Sequence, residues 1–133
     1  MITKKNPFLL LLCLFNTVFL HAAIERVSAN YHNCNPETAR SRVELIAIVN
    51  SLAKQLGANF SSEPTTTVTK VGLTVIQPLG PAVGHVALYT FNSDNKITVD
   101  VLCSMYPDEI DIKKIFKAIK DILSATSCTI QKM

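Results

Sequence analysis

Two neighbouring stretches hold the residue types best suited to chemistry. Gly84-His85 opens a run that ends at Tyr89-Thr90-Phe91, and a second run ends at Leu102-Cys103-Ser104. Imidazole titrates near neutral pH, so His85 is the best candidate for moving a proton. Cys103, at the end of an apolar strand, serves as proton donor or thiolate only where its surroundings lower its pKa. Otherwise it is a small core hydrophobe. His32 and Cys34 together with His85 or Cys103 would make a metal site only with ligand spacings that the sequence lacks, since there is no Cys-x-x-Cys or His-x3-His pattern. No metal is expected. Gly80-Pro81-Ala82-Val83-Gly84 lacks the Gly-Lys-Ser/Thr ending of a phosphate-binding loop, and no Ser-His-Asp elbow is present.

The elements that position these residues follow from periodicity. Val27, Ala29 and Tyr31 alternate with Arg26, Ser28 and Asn30, the pattern of a strand with one buried face. Asn35-Pro36-Glu37 supplies an N-cap, a proline at the first helical position and an acidic first turn. The predicted helix runs to Leu56, stops at Gly57, and packs Ala39, Val43, Ile46, Val49, Ala53 and Leu56 on a sheet. Residues 60–67 read as loop or frayed edge strand, and Val68 to Ile76 as a β-branched strand closed by Pro78, Gly80 and Pro81. Val83–Phe91 and Lys96–Cys103, joined by Asn92-Ser93-Asp94-Asn95, form a hairpin. A second helix spans Asp111 to Ser124, with Ile112, Ile115, Phe116, Ile119 and Leu123 on one face and lysines on the other. A last strand covers Cys128 to Lys132. The order is β-α-β-β-β-α-β, an α+β two-layer sandwich with two helices on one face of a mainly antiparallel sheet.

The N-terminus combines Lys4 and Lys5 with an uncharged, mostly apolar run from Pro7 to Leu20 and small residues at Ala22-Ala23. That is the build of a secretory signal peptide, residues 1–22, and the run is shorter than the roughly 20 apolar residues that a membrane span needs. The expected location is secreted or periplasmic, with no other membrane association. Cleavage after Ala22 leaves residues 23–133, 111 of the 133, enough for one domain. It also lowers the basic count from 13 to 11 against 10 acidic residues, which offers nothing to nucleic acid. Cys34, Cys103 and Cys128 remain, in a compartment that permits disulfides, with all three pairings open.

Val83-Gly84-His85, Tyr89-Thr90-Phe91-Asn92-Ser93 and Val99-Asp100 with Cys103 resemble the catalytic hairpin of the small bacterial S-adenosylmethionine decarboxylases. That family reads Glu-Ser-His, then His-Thr-Trp-Pro-Glu, then Val-Asp and a Cys. Ala29-Asn30-Tyr31-His32-Asn33-Cys34-Asn35 is similar to its opening strand, Ala-Glu-Phe-Tyr-Glu-Cys-Asp, and Leu56-Gly57-Ala58 to its Ser-Gly-Ala, so the likeness covers Ala29 to Leu123. The family converts the Ser of Glu-Ser-His into a pyruvoyl group, its self-derived cofactor. Here that position is Gly84, and glycine has no hydroxyl to attack the preceding carbonyl. No pyruvoyl cofactor is therefore expected. Val83 stands for the family's Glu, Tyr89 for the His that assists processing, Asn92-Ser93 for Pro-Glu; His85, Thr90, Phe91, Val99 and Asp100 fit. Gapless counting puts the family's catalytic Cys at Ser104, while one residue absorbed in the turn brings Cys103 into register. The resemblance implies a homodimer and a small adenosyl ligand against His85, Tyr89 and Phe91. With the serine missing and an export signal present, the expected protein is an exported relative without pyruvoyl activity. The alternatives are an active decarboxylase of spermidine biosynthesis and a secreted interaction protein with no ligand.

Overall fold

A computed structural model describes residues 25–58, 63–80, 84–104 and 110–132. The expected signal peptide and Val83 lie outside these described residues, as do Pro107-Asp108-Glu109, the proline and acidic pair that open the second predicted helix.

Strand β1 (Glu25–His32) is followed by helices α1 (Pro36–Arg40) and α2 (Arg42–Gln55). Four strands come next: β2 (Thr65–Val68), β3 (Leu73–Pro78), β4 (Gly84–Phe91) and β5 (Lys96–Cys103). Helix α3 (Ile112–Leu123) and strand β6 (Ser127–Lys132) close the order. The strands form one sheet in the order β2-β3-β4-β5-β1-β6, and every ladder is antiparallel. The helices cover one face: α2 packs on β3 and β4, α3 on β1 and β6. This is the α+β two-layer architecture read from the sequence, with one strand more than expected.

The extra strand corrects the reading of Val68 to Ile76 as a single element. Thr69 N–H donates to the Gly72 carbonyl at 2.7 Å, and Gly72 N–H donates to Thr69 Oγ1 at 3.1 Å, so the chain reverses there. A Cβ on Gly72 would come within 2.8 Å of the Thr90 carbonyl carbon, so the turn needs glycine to lie against β4. Val71, β-branched but at the reversal, is 57% exposed. Propensity counts such a residue toward a strand although its position is a turn.

The first helix is also two elements. Ser41 sits in an extended conformation (φ −83°, ψ 103°), its Oγ accepts from Glu44 N–H as the N-cap of α2, and its own N–H donates to the Thr38 carbonyl that ends α1. Restarting the helix there rotates its buried stripe. Leu45, Ile48, Val49, Leu52 and Ala53 face the sheet, whereas Val43, expected inside, is 79% exposed and Ile46 is half-buried. In α3 the expected stripe holds: Phe116, Ile119 and Leu123 are buried, Ile112 and Ile115 partly so.

The core lies between helices and sheet. Val27, Ala29 and Tyr31 of β1, Val86 and Leu88 of β4, and Ile97, Val99, Val101 and Cys103 of β5 all belong to it. Tyr31 crosses the layer and donates its hydroxyl to the Phe116 carbonyl at 2.9 Å, fixing α3 against β1.

Candidate functional site on the open sheet face

Side chains alternate across a strand, so the positions left over from the core line the sheet face that, among the described residues, no helix covers. On β4 these are His85, Ala87, Tyr89 and Phe91; the flanking strands add Arg26, Ser28 and Asn30 from β1, Thr98, Asp100 and Leu102 from β5, and Thr74 and Ile76 from β3. His85, Tyr89 and Phe91 are all partly buried there. Three of the four residues singled out from sequence thus share one surface.

Cys103 does not join them. Its Cα is paired with Gly84, one register step from His85 and Leu102, and its side chain points into the helix-facing core with no exposure. Cys34, Cys103 and Cys128 form no disulfide. Burial pushes the Cys34 and Cys128 thiols up, toward the protonated form.

Gly84 has its own geometry. Its φ is +135°, a conformation favoured only by glycine, and a Cβ built there would lie 2.7 Å from the Leu102 carbonyl carbon and overlap its oxygen. The β5 backbone occupies the space that any side chain at this position would need. Serine, like every other residue with a Cβ, enters only if that carbonyl moves.

Between His85 and Tyr89, the open face carries an ion pair that the sequence left unassigned. Arg26 Nε and Nη2 donate to the two carboxylate oxygens of Asp100 at 3.0 and 2.8 Å. Asp100 is 6% exposed, beside Ser28 and Ala87, and a carboxylate so buried requires a partner. The hydrogen bond to Asp100, then its charge, raises the Arg26 pKa further. One signal was available: Asp100 interrupts the apolar run Val99–Leu102 and stands across from a strand that offers an arginine. Next to it, Thr98 Oγ1 donates to Asn30 Oδ1 at 2.7 Å, and Lys96 Nζ lies 5.5 Å from the centre of the Phe91 ring.

The distances decide what this surface can do. At about 3.3 Å per residue, His85 and Tyr89 are roughly 13 Å apart along β4, and Tyr89 and Phe91 roughly 7 Å. No proton passes directly over roughly 13 Å. The row is a platform of ring faces and hydrogen-bonding groups around a bidentate ion pair, suited to holding a flat or extended partner rather than converging on one reacting atom. Among the described residues, no cluster of three or more His, Cys, Asp or Glu side chains is placed to hold a metal ion, and no helix is long and apolar enough to cross a membrane.

No curated protein matches the sequence. Among solved structures, the adenosylmethionine decarboxylase from Aquifex aeolicus VF5 superposes with a TM-score of 0.64 at 14% identity, covering 83% of this chain and 88% of that one. The superposition shows a shared fold. The family model of S-adenosylmethionine decarboxylase matches residues 25–133, from the first described strand through the last. With a hairpin, helix order and sheet that agree with that match, this chain belongs to the S-adenosylmethionine decarboxylase family.

Proposed function

We propose that this protein is an exported member of the family that has kept the fold and given up the pyruvoyl chemistry, using its open sheet face to bind. The reading rests on Gly84. Forming a pyruvoyl group needs a hydroxyl that attacks the preceding carbonyl, gives an ester and then eliminates; the resulting ketone takes the substrate amine as a Schiff base. Gly84 carries no hydroxyl, and the overlap that any Cβ there would make with Leu102 supports a backbone adapted to its absence. The apolar N-terminal run behind Lys4 and Lys5 supports export, away from the compartment that makes S-adenosylmethionine.

The bound species is a small ligand with an adenosyl-like ring system laid against Tyr89 and Phe91, with His85 at the far end of the row. The half-buried Tyr89, Phe91, Leu102 and Ile76 also favour a second copy of the chain on the same face, giving a homodimer with the ligand at or beside the interface.

Intact-mass analysis of the purified protein tests the first part. One uncleaved chain, shortened by the signal residues, is expected; two fragments, one of them blocked by a keto group, would restore the decarboxylase. Thermal unfolding with S-adenosylmethionine and its decarboxylated form tests the second, since a ligand at 100 times its Kd stabilises by about 2.7 kcal/mol. If neither ligand moves the midpoint while light scattering finds a dimer, the face is a protein interface alone.

A further inference from the structure

Each ring of the open-face platform already has a cation beside it. Lys96 is the cross-strand partner of Phe91, and its Nζ lies 5.5 Å from the centre of that ring, the position a cation takes over an aromatic face. Arg26, held by Asp100, lies within electrostatic range of the Tyr89 hydroxyl. The attraction of these rings for positive charge is thus taken up by the protein's own side chains, and a second cation arriving there meets like charge.

The acidic side chains do not offset this. The chain has 10 of them. Glu37, Glu44, Asp111 and Asp121 belong to the helices or their caps, on the covered side of the sheet. Glu25 pairs with Lys132 at 3.5 Å, and Glu63 precedes the edge strand β2. Both carboxylate oxygens of Asp100 are bonded to Arg26. Asp94 is exposed in the turn beyond Phe91, and among the described residues no carboxylate is within ion-pair distance of Lys96. Asp108 and Glu109, outside the described residues, follow Ser104, at the opposite end of β5 from Lys96.

We propose that the platform selects by charge: it takes an uncharged adenosyl thioether in preference to the corresponding sulfonium cation, with Lys96 as the discriminating residue. The inference rests on the adenosyl reading above and adds the charge of the bound species. Sulfur on the 5′ carbon of a nucleoside is one sugar away from the ring system. With that ring system against Tyr89 and Phe91, roughly 7 Å apart, the sulfur stays near Lys96 or Arg26. S-adenosylmethionine is such a sulfonium and binds here more weakly than a thioether, without being excluded. The repulsive element supplies the specificity.

Titration calorimetry at low salt with 5′-methylthioadenosine and 5′-dimethylsulfonioadenosine, which differ by one methyl group and one positive charge, tests this. The thioether should bind about tenfold more tightly or better. Lys96→Met keeps an aliphatic stem over Phe91 without the charge and should remove most of that preference, whereas Lys96→Arg should retain it. Lys117→Met, exposed on the helix side, is the control. Should the Lys96 variants fail to fold, salt reads the same effect on the parent: at 1 M, where the Debye length is about 3 Å, the preference should fall several-fold. Equal or tighter binding of the sulfonium overturns the charge selection and leaves the adenosyl reading standing. A preference that survives Lys96→Met, or that salt leaves untouched, overturns the role of Lys96. If neither nucleoside gives heat, the adenosyl reading itself falls, and this inference with it.

Discussion

Replacing Gly84 by Ser returns the hydroxyl that the family's chemistry needs, and the geometry says that this fails. The new Cβ must enter a positive-φ backbone, which costs a non-glycine residue roughly 1–3 kcal/mol. It must also displace the Leu102 carbonyl, whose carbon lies 2.7 Å from the Cβ position; forcing atoms into a packed site adds about 1–3 kcal/mol. A total near 4 kcal/mol is a large share of the roughly 5–15 kcal/mol that holds a domain together. For a domain of this size it lowers the melting midpoint by about 15 °C. Gly84→Ala is the control: it adds the same Cβ without the hydroxyl, so both variants should melt together, well below the parent. Differential scanning calorimetry reads the midpoints, and mass spectrometry after prolonged incubation reads cleavage. A serine variant that melts with the parent, or that splits into two chains with a keto-blocked end, would falsify the claim that the β5 backbone has closed this position.

Tyr31→Phe removes the buried hydrogen bond to the Phe116 carbonyl, which keeps its intrahelical partner in α3, so denaturant unfolding should show a loss of about 1 kcal/mol with an unchanged slope. Asp111→Ala strips the N-cap of α3, whose carboxylate accepts from Lys114 N–H at 3.2 Å, and should cost about 1 kcal/mol by the same measurement. Arg26→Ala should lower the melting midpoint more than Asp100→Ala, because the first strands a carboxylate side chain only 8% exposed while the second frees a guanidinium already 53% exposed; the opposite ranking would contradict the ion-pair geometry. Burial raises Tyr31 above its ordinary 10.0, and Cys34 and Cys128 above 9.0. The folded protein therefore keeps these protons while the unfolded chain loses them. The stability they contribute is complete below about pH 9 and declines as pH rises beyond it, and tyrosinate absorbance from Tyr31 should appear only with unfolding.

The sequence by itself determined whatever depends on local pattern. Alternation in Arg26–Tyr31 and Lys96–Cys103, the polar turn at residues 92–95 and the stripe in α3 each state a buried face, and burial is what pairs strands and docks helices. The same alternation put His85, Tyr89 and Phe91 on one side of β4. Local pattern also misled where a short polar signal outweighs propensity: the N-cap at Ser41 divided the first helix and turned Val43 outward, and Gly72 bent a β-branched run into a hairpin. Only the tertiary structure decided relations between distant residues. The partnership of Arg26 with Asp100, the seating of Cys103 on the opposite face from His85, and the closure of β5 over Gly84 arise from cross-strand register, which brings together atoms that no spacing along the chain records.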